Sequence, residues 1–372
     1  MAGSTYGTLF KITTWGESHG AAIGVVIDGC PAGLPLRETD IQKFLDRRKP
    51  GQSRFTTKRK ESDRVEILSG VFESITTGTP ISLIVKNEDQ ISRDYGNIKD
   101  CYRPGHADYT FSQKYGIRDY RGGGRSSGRE TIGRVAAGAV ASKLLEQLGI
   151  QIITYTKAIG NITVPETEYD YSCIAENALQ MPNQDYARQA AQYLETCMQN
   201  QDSSGGIIEC VVNGMPAGIG ETVFDKLDAN LAKAVMSIGA VKGVEIGDGF
   251  AAGVSTGSYN NDSFRSSQDS DKIQKVTNHS GGTLGGMSDG SPIILRAAVK
   301  PTPSISRTQQ TVNSSGENID ISIHGRHDPV IVPRAVVVVE SMVALTLIDM
   351  LFINMSAKLE NIIHFYNYPL KF

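Results

Sequence analysis

Residues 335–353, AVVVVESMVALTLIDMLFI, are the nearest thing in the chain to a membrane span. An apolar stretch of this length must be shielded from water, by a bilayer or by a large protein interior. Glu340 and Asp349 fall inside it, and each would be costly within a bilayer. A buried helix is therefore predicted, and with it a substantial core. The chain has 372 residues, about two domains' worth of core on length alone. The opening stretch MAGSTYGTLFKITTWG lacks the basic and apolar regions of a secretory signal. Five cysteines form no C-x-x-C pair, which fits reduced thiols in a cytoplasm, with neither disulfide nor metal expected.

The 39 glycines exceed the usual share and predict many tight turns or backbone-lined loops. The first fifty residues read as a strand (TLFKITTWG), a loop (GESHG), a second strand (AAIGVVIDG) and a helix opening at Thr39 with Gln42 as capping-box partner. Residues 47–64 carry eight Lys or Arg against two acids and read as a basic, mobile loop. Two stretches, 69–86 and 281–300, share glycines at 70 and 282 and at 78 and 290, and Pro-Ile at 80–81 and 292–293, a constant offset of 212. Each is followed by an Arg-rich loop and a long apolar helix. The prediction is an α+β chain, one domain over 1–372, with pseudo-repeated halves at about 60–150 and 275–355. Chance similarity of Gly/Pro turns is the alternative. Residues 161–205 read as a polar, solvated elaboration with a helical pattern near DYARQAAQYLETCMQN.

In a chain of formal net charge −3, residues 102–131 hold six cationic side chains against three acids. Ser127 stands three residues before Glu130, a capping-box spacing, so the GGGRSS loop is expected at a helix N-terminus, with the helix running to Gly149. Backbone N–H groups there, with Arg125 and Arg129, suit small anions such as phosphate or carboxylate. Neither G-x-G-x-x-G nor G-x-x-x-x-G-K-[ST] is present, so no Rossmann or P-loop site is expected. Of six histidines, His19 in GESHG and His106 in RPGHAD lie in glycine-containing loops where function concentrates. None of the histidines makes a metal-binding spacing. KPTPSIS (300–306) and GRHDP (325–329) add a lysine, hydroxyls and an Arg-Asp pair, with Pro333 suited to the first turn of the second long helix. An RNA-binding surface built from 47–64 and 102–131, and a phosphotransferase, are the competing classes. The absence of an aromatic-interleaved basic motif and the slightly negative net charge weigh against RNA.

Together GESHG, RRKPGQSRFTTKRKESD, YRPGHADYTFSQKYGIRDYRGGGRSSGRET, SIGAVKGVEIGDGF, NHSGGTLGG, KPTPSI and GRHDP resemble the chorismate synthase family, in that order, from about residue 6 to about 350. The resemblance implies a β-α-β sandwich with internal pseudo-symmetry, antiparallel sheets around a helical layer. It implies a lyase of the shikimate pathway that converts 5-enolpyruvylshikimate 3-phosphate to chorismate and phosphate by 1,4-anti elimination. Reduced FMN is the implied cofactor and a homotetramer the implied assembly, with flavin reduced by NADPH or by an external reductase. His19 resembles the histidine that protonates the departing phosphate, His106 the one beside the flavin, and Asp328 the carboxylate acting as the substrate proton is removed, with Ser18 and Ser127 as supporting hydroxyls. Arg48, Arg54, Arg103 and Arg129 resemble the substrate-binding arginines. Arg125, Ser126, Ser127, Gly239, Ala240, Gly285, Lys300, Pro301, Thr302, Pro303, Ser304 and Arg326 resemble the flavin-contacting set. Gly128 and Gly239 depart from the family's usual alanine and asparagine.

Overall fold

The computed structural model describes residues 3–56, 61–88, 99–121, 123–266, 273–323 and 328–367. Two five-stranded antiparallel sheets flank a layer of helices. The N-terminal sheet runs Thr5–Tyr6, Lys11–Gly16, Ala22–Asp28, Ile81–Lys86, Val65–Ile67 across its width. The C-terminal sheet runs Val241–Ile246, Ile293–Val299, Gly206–Asn213, Gln151–Ile159, Ile162–Thr163. Alternate residues of Ile81–Lys86 are buried, as expected of strands with one face on a core. The Thr131–Gln147 helix packs on Ala22–Asp28, the Val332–Asn354 helix on Gln151–Ile159 and Gly206–Asn213, and the two helices pack on each other. The α+β expectation and its layering of sheet, helices and sheet are met.

The long apolar helix is buried between these layers, as its sequence requires, and its acids are satisfied. Arg47 donates to Glu340 Oε1 at 2.9 Å and to Oε2 at 2.6 Å. The N–H groups of Thr8, Leu9 and Phe10 donate to Asp349 at 2.9, 2.7 and 2.9 Å. Buried carboxylates held this way are tolerated because each lone pair lost to water is replaced. The two central helices meet at Gly138, where an added Cβ would lie 2.2 Å from Ser341 Cβ.

Among the elements of the first half, the sheet strands Lys11–Gly16, Ala22–Asp28, Val65–Ile67 and Ile81–Lys86 precede the Thr131–Gln147 helix, with Glu38–Arg48 between the second and third; among those of the second, Gln151–Ile159, Gly206–Asn213, Val241–Ile246 and Ile293–Val299 precede Val332–Asn354, with Leu227–Met236 between the second and third. Within each sheet these four strands lie in the order first, second, fourth, third. The hairpins Val71–Phe72/Ile75–Thr76 and Thr283–Leu284/Met287–Ser288 occupy the repeated segments. Thr76 Oγ1 donates to Pro31 O at 2.7 Å and accepts from Leu34 N at 2.9 Å. Ser288 Oγ does the same with Pro216 O at 2.6 Å and Ile219 N at 2.9 Å.

Several local expectations are corrected. The first helix is Glu38–Arg48, capped through Asp40, which accepts from Arg37 N at 2.9 Å. Gln42 instead faces the chain at Asp63, donating to its carbonyl at 3.2 Å and accepting from Val65 N at 3.1 Å. Residues 47–64 are not one solvated loop: Arg48 ends the helix, and Arg48, Phe55, Glu61 and Asp63 are buried. Residues 57–60 lie outside the described part. The 161–205 segment places Leu179, Met181, Ala187, Ala190 and Leu194 in the core, because its Gln184–Gln199 helix is amphipathic rather than polar all round. The tail, too mixed to read from sequence, includes an exposed helix, Leu359–Asn367.

Candidate active site

The GESHG loop joins the second and third strands of the N-terminal sheet and buries Ser18 and His19. Ser18 Oγ lies 3.2 Å from His19 Nδ1. Asn87, just past Ile81–Lys86, fixes this loop by donating to Glu17 O at 3.0 Å and Gly20 O at 2.8 Å. Its own oxygen accepts from Arg129 Nε at 3.0 Å and Nη2 at 2.8 Å. Arg129 also reaches Asp63 at 3.2 Å and Glu61 at 3.3 Å. Arg48 donates to the other oxygen of Asp63. Arg334, in the first turn of the Val332–Asn354 helix, donates to Arg48 O at 3.1 Å and to Asp328 at 2.5 Å. One continuous polar network thus joins the His19 loop to Asp328 through three arginines. Burial pushes the Asp63 carboxyl up, but the charges of Arg48 and Arg129 outweigh it and hold it below the usual carboxylate range. Burial holds the Arg334 guanidinium below its ordinary value, against the pull of Asp328. Arg48 Nε is buried without a hydrogen-bond partner among the described residues.

A second cluster surrounds His106. Arg103 donates to both oxygens of Asp108, at 2.7 and 2.8 Å, and Arg118 stands 3.3 Å from the same carboxylate. Burial pushes Asp108 up, but the hydrogen bonds from Arg103 and His106 hold it far below the usual range. His106 Nδ1 lies 3.0 Å from Arg103 Nη2 and 3.0 Å from Asp108 Oδ1. With Nδ1 bare the ring accepts from the first; with a proton on Nδ1 it donates to the second. The glycine loop closes over this ring: a Cβ on Gly123 would lie 3.0 Å from His106 Cε1 and 3.2 Å from Ser126 Oγ. Lys300 Nζ donates to Gly105 O at 2.7 Å, and Lys300 N to Ala240 O at 2.9 Å. RPGHAD, GGGRSS, KPTPS and the Gly239–Ala240 turn, remote in sequence, are thus brought together. Asp119, held below its usual range first by Arg121 and also by the charge of His19, places the start of the glycine loop beside the first cluster.

A family model for chorismate synthase matches residues 10–352. The chorismate synthase of Agathobacter rectalis is 63% identical over 366 residues, covering 98% of this chain and 99% of that protein. The one from Lachnospira eligens is also 63% identical, covering 98% and 100%. The chain belongs to the chorismate synthase family. A solved chorismate synthase structure superposes with a TM-score of 0.75 at 30% identity, covering 97% of each chain.

Against the family's expected set, the structure gathers Ser18, His19, Arg48, Arg129 and Asp328 in one network, and Arg103, His106, Ser126, Ala240 and Lys300 in the other. Pro303 touches the second group, with its Cβ 3.2 Å from the position a Gly105 Cβ would take. Pro301, Thr302 and Ser304 continue that strand end, and Ser304 is buried. Ser127 caps a short turn by accepting from Arg129 N at 3.3 Å. The predicted capping box does not close, because Glu130 accepts from Thr14 at 2.9 Å and from Arg134 at 2.8 Å. Arg125 is spent on Thr14 and Gly16, at 2.7 and 3.2 Å. Arg54 is exposed and pairs with Glu195 at 2.6 Å. Gly239 is exposed, and Gly285 turns a hairpin next to Gly286, whose carbonyl accepts from Leu227 N at 2.7 Å. Arg326 lies outside the described residues. Asp63, Glu61, Asn87, Asp108 and Arg334 were not foreseen as site residues. Glu61, Asp63 and Asp108 were visible as acids inside basic motifs and Arg334 as an arginine just after Pro333, whereas Asn87 lies outside every motif.

Proposed function

We propose that the two clusters form the active site of a carbon–oxygen lyase converting 5-enolpyruvylshikimate 3-phosphate to chorismate and phosphate. The observation carrying this reading is the single network from His19 to Asp328, which sets an acid and a base about arginines suited to carboxylate and phosphate. In the elimination, one ring C–H bond breaks and its proton goes to a base, the role this reading gives Asp328; the C–O bond to phosphate breaks and His19 protonates the departing oxygen. Arg48 and Arg129 orient the anionic substrate, and burial strengthens their pull.

The residues present fit the reduced FMN the family uses. Thr302 Oγ1 is buried without a partner among the described residues. Gly123 and Gly124 stand at φ 86° and 54°, where side chains are disfavoured, and leave backbone open beside His106. Arg103, His106, Ser126, Thr302 and Lys300 would hold the flavin. When bound, it supplies electron density to the substrate ring as phosphate leaves. His106, hydrogen-bonded through Nδ1 to Arg103 and Asp108, would hold or release a proton next to it.

The reading extends to a homotetramer in the cytoplasm, with flavin reduced by NADPH or by a separate reductase. It also extends to two halves descended from one unit, supported by the matching strand orders and hydrogen bonds. The test is an anaerobic assay with 5-enolpyruvylshikimate 3-phosphate and chemically reduced FMN, following chorismate absorbance and phosphate together. Equal formation of both, absent with oxidised flavin, is the expected result. Flavin binding without product would overturn the chemistry. Salt-dependent RNA binding, or ATP turnover, without flavin binding would overturn the site.

A further inference from the structure

Asn87 stands one residue beyond the Ile81–Lys86 strand. Ala22 pairs with Lys86 in the sheet, and Asn87 N donates to Ala21 O at 3.2 Å, which puts the residue beside the exit of the GESHG loop. Its Nδ2 donates to Glu17 O at 3.0 Å and to Gly20 O at 2.8 Å, the two carbonyls that bracket Ser18 and His19. Glu17 O also accepts from Gly20 N at 3.0 Å, closing the turn between them. On its other side, Asn87 Oδ1 takes the Nε and Nη2 edge of Arg129, at 3.0 and 2.8 Å. The N–H of the next residue, Glu88, donates to Glu61 at 3.2 Å, and Glu61 faces Nη1 of Arg129 at 3.3 Å.

The side-chain contacts of Asn87 require an amide. A guanidinium only donates and a backbone carbonyl only accepts, so one planar group must offer an oxygen to one side and two N–H groups to the other. Both N–H groups of Asn87 and its carbonyl oxygen are used in this way. A carboxylate of the same shape would turn an acceptor toward two carbonyls, and an aliphatic side chain would meet neither partner. Asn87 is half-buried, so filling the core is not its contribution. The positions of His19 and Arg129 are therefore not set independently, because one short side chain ties the loop of the first to the guanidinium of the second.

We propose that Asn87 is a positioning residue for the elimination, holding the His19 loop and Arg129 in one geometry about the anionic substrate. The inference rests on the roles given to His19 and Arg129 above. The test measures kcat and KM for 5-enolpyruvylshikimate 3-phosphate in the full chain with chemically reduced FMN. Asn87→Leu is expected to lower kcat about 100-fold, the scale of a misplaced catalytic group. It is expected to raise KM about tenfold, as Arg129 loses a charge-assisted partner. Asn87→Asp, which keeps the shape but not the donors, is expected to lose kcat similarly, and decides the matter if Asn87→Leu does not fold. In a His19→Ala background, adding either substitution is expected to lower kcat by no more than about twofold, because groups that act as a unit do not lose activity independently. Losses that multiply in full, an unchanged kcat in Asn87→Asp, or a fall in kcat for Asn87→Leu with KM unchanged would each overturn the proposal while the functional reading stands. If the parent protein forms no chorismate, or His19→Ala leaves turnover unchanged, that reading falls and takes the role of Asn87 with it.

Discussion

Asp63 is an acid within the most basic stretch of the chain, and each of its oxygens is taken by a different arginine. Its value in the fold lies below that in the unfolded chain, so it contributes stability above about pH 4 that is lost as acid protonates it. Asp108 acts with the same sign. The melting temperature of Asp63→Asn is therefore expected to be lower near neutrality and to fall less steeply between about pH 5 and 3 than that of the parent protein. Asp328 shows how contacts change the meaning of a substitution. Sequence reasoning expects Asp328→Asn to leave the fold intact and cut turnover heavily. The partner Arg334, its side chain 19% exposed, would lose its acid, so a stability loss of about 1–3 kcal/mol is expected as well, measurable by denaturant titration. Arg334→Met added to it is expected to recover part of that loss but none of the turnover. His106→Ala opens no core cavity, and a fall in turnover of about 100-fold or more at unchanged melting temperature is the expected outcome. His19, His106, Arg48 and Arg129 were legible because their motifs name them. Asp63 and Arg334 were not, because their importance lies in partners that the folded chain brings to them.

At the scale of elements, the long helices were the easiest to read. Val332–Asn354 follows from its apolar run, and Thr131–Gln147 from a continuous apolar pattern that stops before Gly149, which takes φ 73°. Both predicted capping boxes failed for the same reason. Spacing states which side chain can reach a helix end, while tertiary neighbours decide which partner it takes: Gln42 goes to Asp63, and Glu130 to Thr14 and Arg134. The crossing of the two central helices depends on Gly138. Gly138→Ala would drive a methyl against Ser341, and a loss of about 1–3 kcal/mol is expected from overpacking, seen as a lower denaturant midpoint with an unchanged slope.

Across the whole molecule, the constant offset between the two repeated segments became a repeated geometry. Gly70 and Gly282 take φ 81° and 82°, and an added Cβ at either would lie 2.8 Å from the Cα of Ile81 or Ile293. Gly70→Ala and Gly282→Ala are expected to cost similar amounts, about 1–3 kcal/mol each, in denaturant titrations. A neutral result at one of them would show that the two halves are not equivalent. Family membership, the apolar helices, the repeated turns and most of the candidate site residues were written in the order of residues, since they depend on local propensity, burial and motif. The pairing of charges was not. Arg54 finds Glu195 and Arg125 finds Thr14, while Arg48 and Arg129 meet over Asp63. Which of several similar arginines faces a ligand depends on distances and desolvation that exist only once the sheets have closed over the helices.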